Sequence, residues 1–298
     1  MPSGLKNLLR KLLKNIKNAL REKGKVRFLN KPGENIRSVV VSQEKLHQKG
    51  TDILIFNNKN KFLLAKTVSV QNFKKYSIRD YDRPCRDAKS GMLPPKLAQI
   101  MINIACEGKK NKLIYDPFCG SGTILMEGML MNHFVIGSDV SEKAIRDSER
   151  NVEWFVEKFG VDKSLMKGLF VKDATKISLG DFKISPDCIV VETYLGPPLF
   201  KLPSKKEIDE NFYFIENLVL KALNKIYPII NKGGSLLIAV PFYQYRGKNC
   251  YIENLVEKVR ELGYDVSDLF KSGERGSLFY SRKNQIVGRE IFRFTVPG

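Results

Sequence analysis

Tyr115-Asp116-Pro117-Phe118-Cys119-Gly120-Ser121-Gly122-Thr123 is the stretch on which the reading of this 298-residue chain turns. The apolar run Lys112-Leu113-Ile114-Tyr115 predicts a buried parallel strand, and Thr123 to Leu130 predicts the helix after it. Gly120 and Gly122 lack a Cβ, so the backbone between them can take strained angles and let a ligand lie against it. The helix beginning near Thr123 points free N–H groups at the same place. Strand, glycine turn and helix together make nucleotide-site geometry.

The residues after the turn exclude two nucleotide classes. A phosphate-gripping P-loop needs Lys-Ser/Thr after its last glycine, and here Thr123-Ile124 stands instead. A dinucleotide fingerprint needs a third glycine for close helix packing, and Leu125 stands in that place. What remains is an acid at a strand end and a turn without a phosphate grip. That suits a cofactor carrying an amino acid's ammonium group, which the Asp116 carboxylate attracts. S-adenosyl-L-methionine is such a cofactor.

Asp-Pro-Phe-Cys-Gly-Ser-Gly-Thr resembles motif I of class I methyltransferases, in the form found in enzymes that methylate exocyclic amines of nucleic-acid bases. The resemblance implies an α/β fold, a Rossmann-like methyltransferase sheet. It also implies that Asp116, Pro117, Phe118, Cys119, Gly120, Ser121, Gly122 and Thr123 line the site of S-adenosyl-L-methionine. The plain alternative is a strand-turn-helix that holds no ligand.

Bulk properties narrow the partners. Lys plus Arg number 51 against 32 acids, a net charge of +19, which favours a polyanion such as RNA or DNA because neutralising phosphates releases counterions. The alternative is plain solubility charge. Cys85, Cys106, Cys119, Cys188 and Cys250 form no CxxC pair, and their odd number speaks against a disulfide framework. With only His47 and His133 beside them, no metal site is expected. No run approaches the roughly 18 apolar residues of a membrane span, and the N-terminus lacks a signal peptide's features, so a cytoplasmic protein is expected.

Four segments are expected along the chain: residues 1–24, a basic amphipathic helix; 25–76, a small N-terminal α+β domain; 77–94, a linker; and 95–298, the methyltransferase domain. Leu5, Leu8, Leu9, Leu12, Leu13, Ile16 and Leu20 form one stripe, fit for packing on the protein, for a membrane surface or for a transit peptide. Strands are expected at Lys25–Phe28, Ser38–Val41, Asp52–Phe56 and Phe62–Val68, with turns at Lys31-Pro32-Gly33 and Asn57–Asn60. The order and exit of this segment resemble the later part of the THUMP RNA-binding domain. The segment from Arg79 to Gln99 resembles the stretch before motif I in the position-10 tRNA guanine-N2 methyltransferases that carry THUMP domains. That resemblance implies that Met92, Leu93 and Pro94 enclose the methionine end of the cofactor. Arg79, Arg83 and Arg86 either meet phosphates or pair with Asp80, Asp82 and Asp87.

Beyond the turn, His133 to Val140 predicts a second strand whose terminal acid, Asp139, lies about 20 residues on, where it can accept from both ribose hydroxyls. Val140 comes after it in the same site, and the competing role is a helix cap by Asp139 or Ser141. A third strand ends at Asp173-Ala174. The methyltransferase resemblance implies that Asp173 and the Ala174 backbone hold the adenine, against a plain turn or cap role.

At the reacting edge Asp187 to Val191 predicts a strand continued by Glu192-Thr193-Tyr194-Leu195-Gly196-Pro197-Pro198. Amino-group methyltransferases carry Asp/Asn-Pro-Pro-Tyr/Phe here. The departure leaves either Val191 or Glu192 in the first place. Glu192 is expected to accept the amine's N–H bonds as charge develops, and Tyr194 to stack the flipped base. Helices near 207–227 and 252–262, strands near 233–241, 264–266 and 277–280, and an antiparallel closing hairpin complete the expected sheet.

Three functions remain open. The first is tRNA guanine-N2 methylation, and the second is methylation of DNA adenine or another amino group. The third is a protein that binds S-adenosylmethionine and RNA without catalysis, or that needs an accessory subunit.

Overall fold

The computed structural model describes residues 3–22, 24, 29, 36–58, 61–86, 91–267, 275–282 and 285–298. The expected strand at Lys25–Phe28 and the turn at Lys31-Pro32-Gly33 lie outside them. The chain divides into two compact units, Met1–Lys75 and Tyr76–Gly298.

In the first unit α1 spans Ser3–Arg21 and α2 spans Ser38–Gln43. None of the described side chains of α1 is buried. The expected strand at Ser38–Val41 is thus corrected to helix. Its valines favour a strand only where a neighbouring strand pairs with it, and here Val41 is buried on a helical turn instead. β1 (Ile53–Asn58) and β2 (Lys61–Lys66) form an antiparallel pair, and Asp52 at its base accepts from Thr67 Oγ1 at 2.7 Å. α3 (Phe73–Tyr81) runs across the border between the units, so the stretch expected as linker begins as helix. No glycine or proline interrupts it before Pro84.

The second unit continues with α4 (Pro95–Ala105), β3 (Leu113–Asp116), α5 (Thr123–Leu130), β4 (Phe134–Asp139), α6 (Glu142–Phe159), β5 (Met166–Val171) and β6 (Cys188–Glu192). Then come α7 (Lys205–Ile226), β7 (Ser235–Tyr245), β8 (Lys248–Cys250), α8 (Leu255–Glu261), β9 (Asp265–Ser267), β10 (Leu278–Tyr280) and β11 (Val287–Thr295). The sheet order is β10-β11-β7-β6-β3-β4-β5, with β8 on β7 and β9 on β11. β7, β6, β3, β4 and β5 run parallel, and β11 is antiparallel to β7. The foreseen hairpin is β10 with β11, and β11 is the member inserted next to β7.

Alternation along the strands explains the layers. Tyr115, Ile189, Val191, Leu236 and Ile238 point to one face, covered by α7 and α8. Ile114, Val190, Leu237 and Ala239 point to the other, covered by α4, α5 and α6. A parallel sheet buried on both faces reads as continuous apolar runs, and these strands do. α5 is enclosed on nearly every side, since Thr123 through Met129 are all buried. Its Gly128 permits that: a Cβ there would stand 2.8 Å from Val135 Cγ1.

Burying α5 also buries its one acid. Glu127 accepts from Arg79 Nε at 2.7 Å and from Gln99 Nε2 at 2.7 Å, and Gln99 in turn bonds Tyr76. Burial pushes the Glu127 carboxyl up to about 7 against the opposing pull of Arg79. The arginine expected to face phosphate or a neighbouring aspartate is therefore a structural tie between α3 and α5. Glu127→Ala strands that guanidinium in the core and should lower unfolding free energy by about 3–5 kcal/mol in urea titration.

Candidate cofactor and amine-transfer site

β3 is the point where the sheet's connections reverse direction, with β4 on one side and β6 on the other. Open parallel sheets leave a crevice outside the carboxyl ends of such strands. Asp116 ends β3, Asp139 ends β4 and Glu192 ends β6, so three acids reach that one edge.

The two glycines of the turn do different work. Gly122 has φ +84°, and a Cβ there would lie 2.4 Å from Ser148 Oγ, so this glycine lets α6 pack against the start of α5. Gly120 has φ +51°, and a Cβ there would meet nothing within 4 Å. Its open side is the space a ligand would fill. The turn is tied down by Asp139, whose Oδ2 accepts from Gly120 N at 3.0 Å while Oδ1 accepts from Ser141 N at 2.9 Å. Each oxygen keeps a further lone pair for a hydroxyl. Ser141, not Asp139, caps α6, accepting from Ala144 N.

Asp116 is buried, with Oδ1 accepting from Phe118 N at 3.1 Å. Burial pushes its carboxyl well up, and the charges of Asp139 and Glu192 push the same way. An acidic crevice of this kind relaxes when a cation enters, and S-adenosylmethionine brings both an ammonium and a sulfonium. The open side of Gly120 and this carboxylate set therefore fit that cofactor.

The remaining expected residues divide by where their side chains go. Cys119 is packed into the core and Thr123 Oγ1 accepts from the buried Arg83 Nη1 at 2.7 Å, so both side chains are taken by the protein. Only their backbones are left for a ligand. Pro117 is buried and Phe118 half-buried against the other core face. Ser121 Oγ donates to Met92 Sδ at 3.8 Å, and Leu93 and Pro94 lead buried into α4, so this segment does lie against the turn. Val140 is exposed, free to cover a ligand at the end of β4. Asp173 accepts from Thr175 N at 2.9 Å and Thr175 Oγ1 at 2.8 Å, which hold its carboxyl below the usual range. The cap role is therefore filled, beside the buried Ala174.

Glu192 Oε1 accepts from Arg289 Nε at 2.6 Å, with the arginine buried and the glutamate half-buried. Tyr194 is 43% exposed and its ring meets Phe214 edge-on at 6.1 Å between centroids. Three residues escaped the sequence reading. Arg289 has no local signal and meets Glu192 only because β11 inserts beside β7. Asn151, mid-helix in α6, bonds the Cys85 backbone through both amide atoms at 2.9 Å and Ser121 O at 2.8 Å. Glu127 became visible only through its partner Arg79.

Sheet order and glycine turn together define the class I methyltransferase fold, with an acid-lined edge that fits S-adenosylmethionine. Residues 83–166 match the family model described as UPF0020, RMKL-like, methyltransferase domain. A tRNA (guanine(10)-N2)-dimethyltransferase of Methanothermobacter thermautotrophicus is 27% identical over 186 residues, 62% of this chain and 48% of that protein. Its namesake in Pyrococcus abyssi is 34% identical over 168 residues, 56% of this chain and 43% of that protein. In fold, the chain is similar to the crystal structure of TrmN from Thermus thermophilus, with a TM-score of 0.50 at 15% identity over 83% of this chain and 60% of that one. Over this stretch the chain is similar to tRNA (guanine(10)-N2)-dimethyltransferases. The chain spans about half the length of the curated relatives it matches.

The division of labour in the turn is testable. Gly120→Val should weaken S-adenosylmethionine binding at least tenfold in calorimetry while the fold persists by circular dichroism. Gly122→Val should instead lower Tm, the larger structural loss of the two.

Proposed function

We propose that this protein methylates an exocyclic amine of an RNA base, the N2 of a guanine in tRNA, with S-adenosyl-L-methionine as donor. The observation that supports it most is the half-buried Glu192 carboxylate at the end of β6, close to Asp116 and two residues before the exposed ring of Tyr194. An amine conjugated with a ring is a weak nucleophile, and a fixed acceptor for its N–H bonds is what its attack on a methyl group requires. The charge of +19 supports a polyanionic substrate. The names of the relatives support tRNA and the guanine N2.

In this reading Asp116 attracts the amino-acid end of the donor, the backbone at Gly120 lies against it, and Asp139 accepts from the ribose. Met92, Leu93 and Pro94 enclose the methionine end, and Asp173 with Ala174 borders the adenine. The bound cofactor supplies an electrophilic methyl on a positively charged sulfur. Tyr194 stacks the flipped guanine and aims N2. Glu192 accepts an N2–H bond as the N–CH₃ bond forms and the S–CH₃ bond breaks, then takes the proton released and passes it to water. The unit Met1–Lys75 contributes contacts to RNA, and the protein works in the cytoplasm, where tRNA is modified. Among the described residues no helix is long and apolar enough to cross a membrane.

A second reading has one observation behind it. The segment Glu192-Thr193-Tyr194 lacks the paired prolines between acid and aromatic, and Glu192 is held by Arg289. That suits a protein that binds cofactor and RNA but transfers no methyl group unless an accessory subunit joins it.

Labelled methyl transfer into tRNA, with nucleoside mass spectrometry of the product, separates the readings: N2-methylguanine supports the first, and binding without transfer supports the second. Cofactor affinity should rise with pH. Ligand-free Asp116 keeps its proton above the ordinary carboxylate range, and the cationic ligand favours the ionised form. Calorimetry of Asp116→Asn should show weaker binding with that pH dependence flattened.

A further inference from the structure

Arg289 sits on β11, paired across the sheet with Pro241 of β7 and with Tyr280 of β10. It is 4% exposed. Its Nε donates to Glu192 Oε1 at 2.6 Å, and its Nη2 donates to the Gly91 carbonyl at 3.4 Å. The guanidinium also lies 5.9 Å from the centre of the Tyr280 ring. One side chain thus touches the segment that leads into Met92-Leu93-Pro94, the acid at the reacting edge, and the closing strand.

We infer that Arg289 is a positioning residue that holds Glu192 as an oriented carboxylate facing the substrate amine, and that this ionised acceptor selects a guanine edge over an adenine edge. The inference rests on the amine-methylation reading above.

Charge and geometry carry it. Glu192 is faced by Asp116 from β3 and by Arg289 from β11, with Asp139 of β4 beyond Asp116. Burial pushes the Glu192 carboxyl up, toward the protonated form, and a protonated acid presents an O–H donor where an amine needs an acceptor. Arg289 opposes that, and because it engages only Oε1, Oε2 keeps no hydrogen bond among the described residues. Guanine offers two adjacent donors, N1–H and N2–H, to such a carboxylate. Adenine offers N6–H beside the lone pair of N1, which a carboxylate repels. An acid in place of an amide at this strand end therefore favours guanine only while it stays ionised, and Arg289 is the cation that pulls it toward that form. Lysine would preserve the charge but not the planar fork that also reaches Gly91.

The experiment compares wild type with R289M, R289K and E192Q. Methyl transfer into tRNA is monitored against pH, cofactor affinity by calorimetry, and the Glu192 carboxyl by ¹³C NMR, its resonance identified by its loss in E192Q. In R289M the acidic limb of kcat should move up by about one to three pH units, in step with the Glu192 resonance. R289K should recover part of the shift, and E192Q should lower the ratio of guanine to adenine methylation. An R289M protein that keeps the wild-type limb and resonance overturns the positioning role, and an unchanged base ratio in E192Q overturns the selection. If R289M fails to fold, R289Q carries the same readouts. A wild type that transfers nothing to RNA, yet whose Glu192 resonance moves as stated in R289M, retires the function reading and upholds the pair.

Discussion

Like charges gathered at the end of a buried sheet set the terms for everything around them. Asp116, Asp139 and Glu192 converge because their strands are parallel neighbours, and the low-dielectric interior makes their repulsion costly. The protein offsets it in two ways. Backbone N–H groups of Phe118, Gly120 and Ser141 bond Asp116 and Asp139, and Arg289 is brought from the far end of the chain to Glu192. The remaining deficit of positive charge is what a cationic ligand supplies, so binding and relief of strain in the crevice are one event.

The same interior governs the helices. α5 stands at the centre of its layer, against β4 and between α4 and α6, and accommodates that position with glycines where other helices carry side chains. Gly128 lets Val135 approach, and Gly122 lets α6 approach. Gly120 alone in this turn faces open space. A glycine-rich sequence is thus two packing requirements and one vacancy, and only the vacancy concerns chemistry.

Much of this was legible in advance. β3, α5, β4 and α6 track their apolar runs and turn signals closely, because local propensity and burial agree there: α6 starts after Ser141 and ends at Gly160 as a capped helix should. Ser38–Val41 misled because valines speak for a strand only when a neighbour exists to pair with them. Arg79 misled because a basic residue beside acids in sequence suggests a solvated cluster, whereas its partner Glu127 comes from a helix 48 residues away; Arg83 does meet the neighbouring Asp80, at 3.7 Å, and also reaches Thr123 of that helix. The partnership of Arg289 with Glu192 could not be read at all: it depends on which strand inserts next to β7, a choice made by the whole sheet.

Asn151 has a consequence for how the protein is made. Its amide joins the backbone of Cys85 to that of Ser121, although Cys85 lies 66 residues earlier. During synthesis the glycine turn leaves the ribosome well before the amide that fastens the entry segment to it. A nascent chain ending inside α6 therefore carries every residue of the turn with no clasp across it. The turn is fastened to the entry segment only when the middle of α6 has emerged and docked.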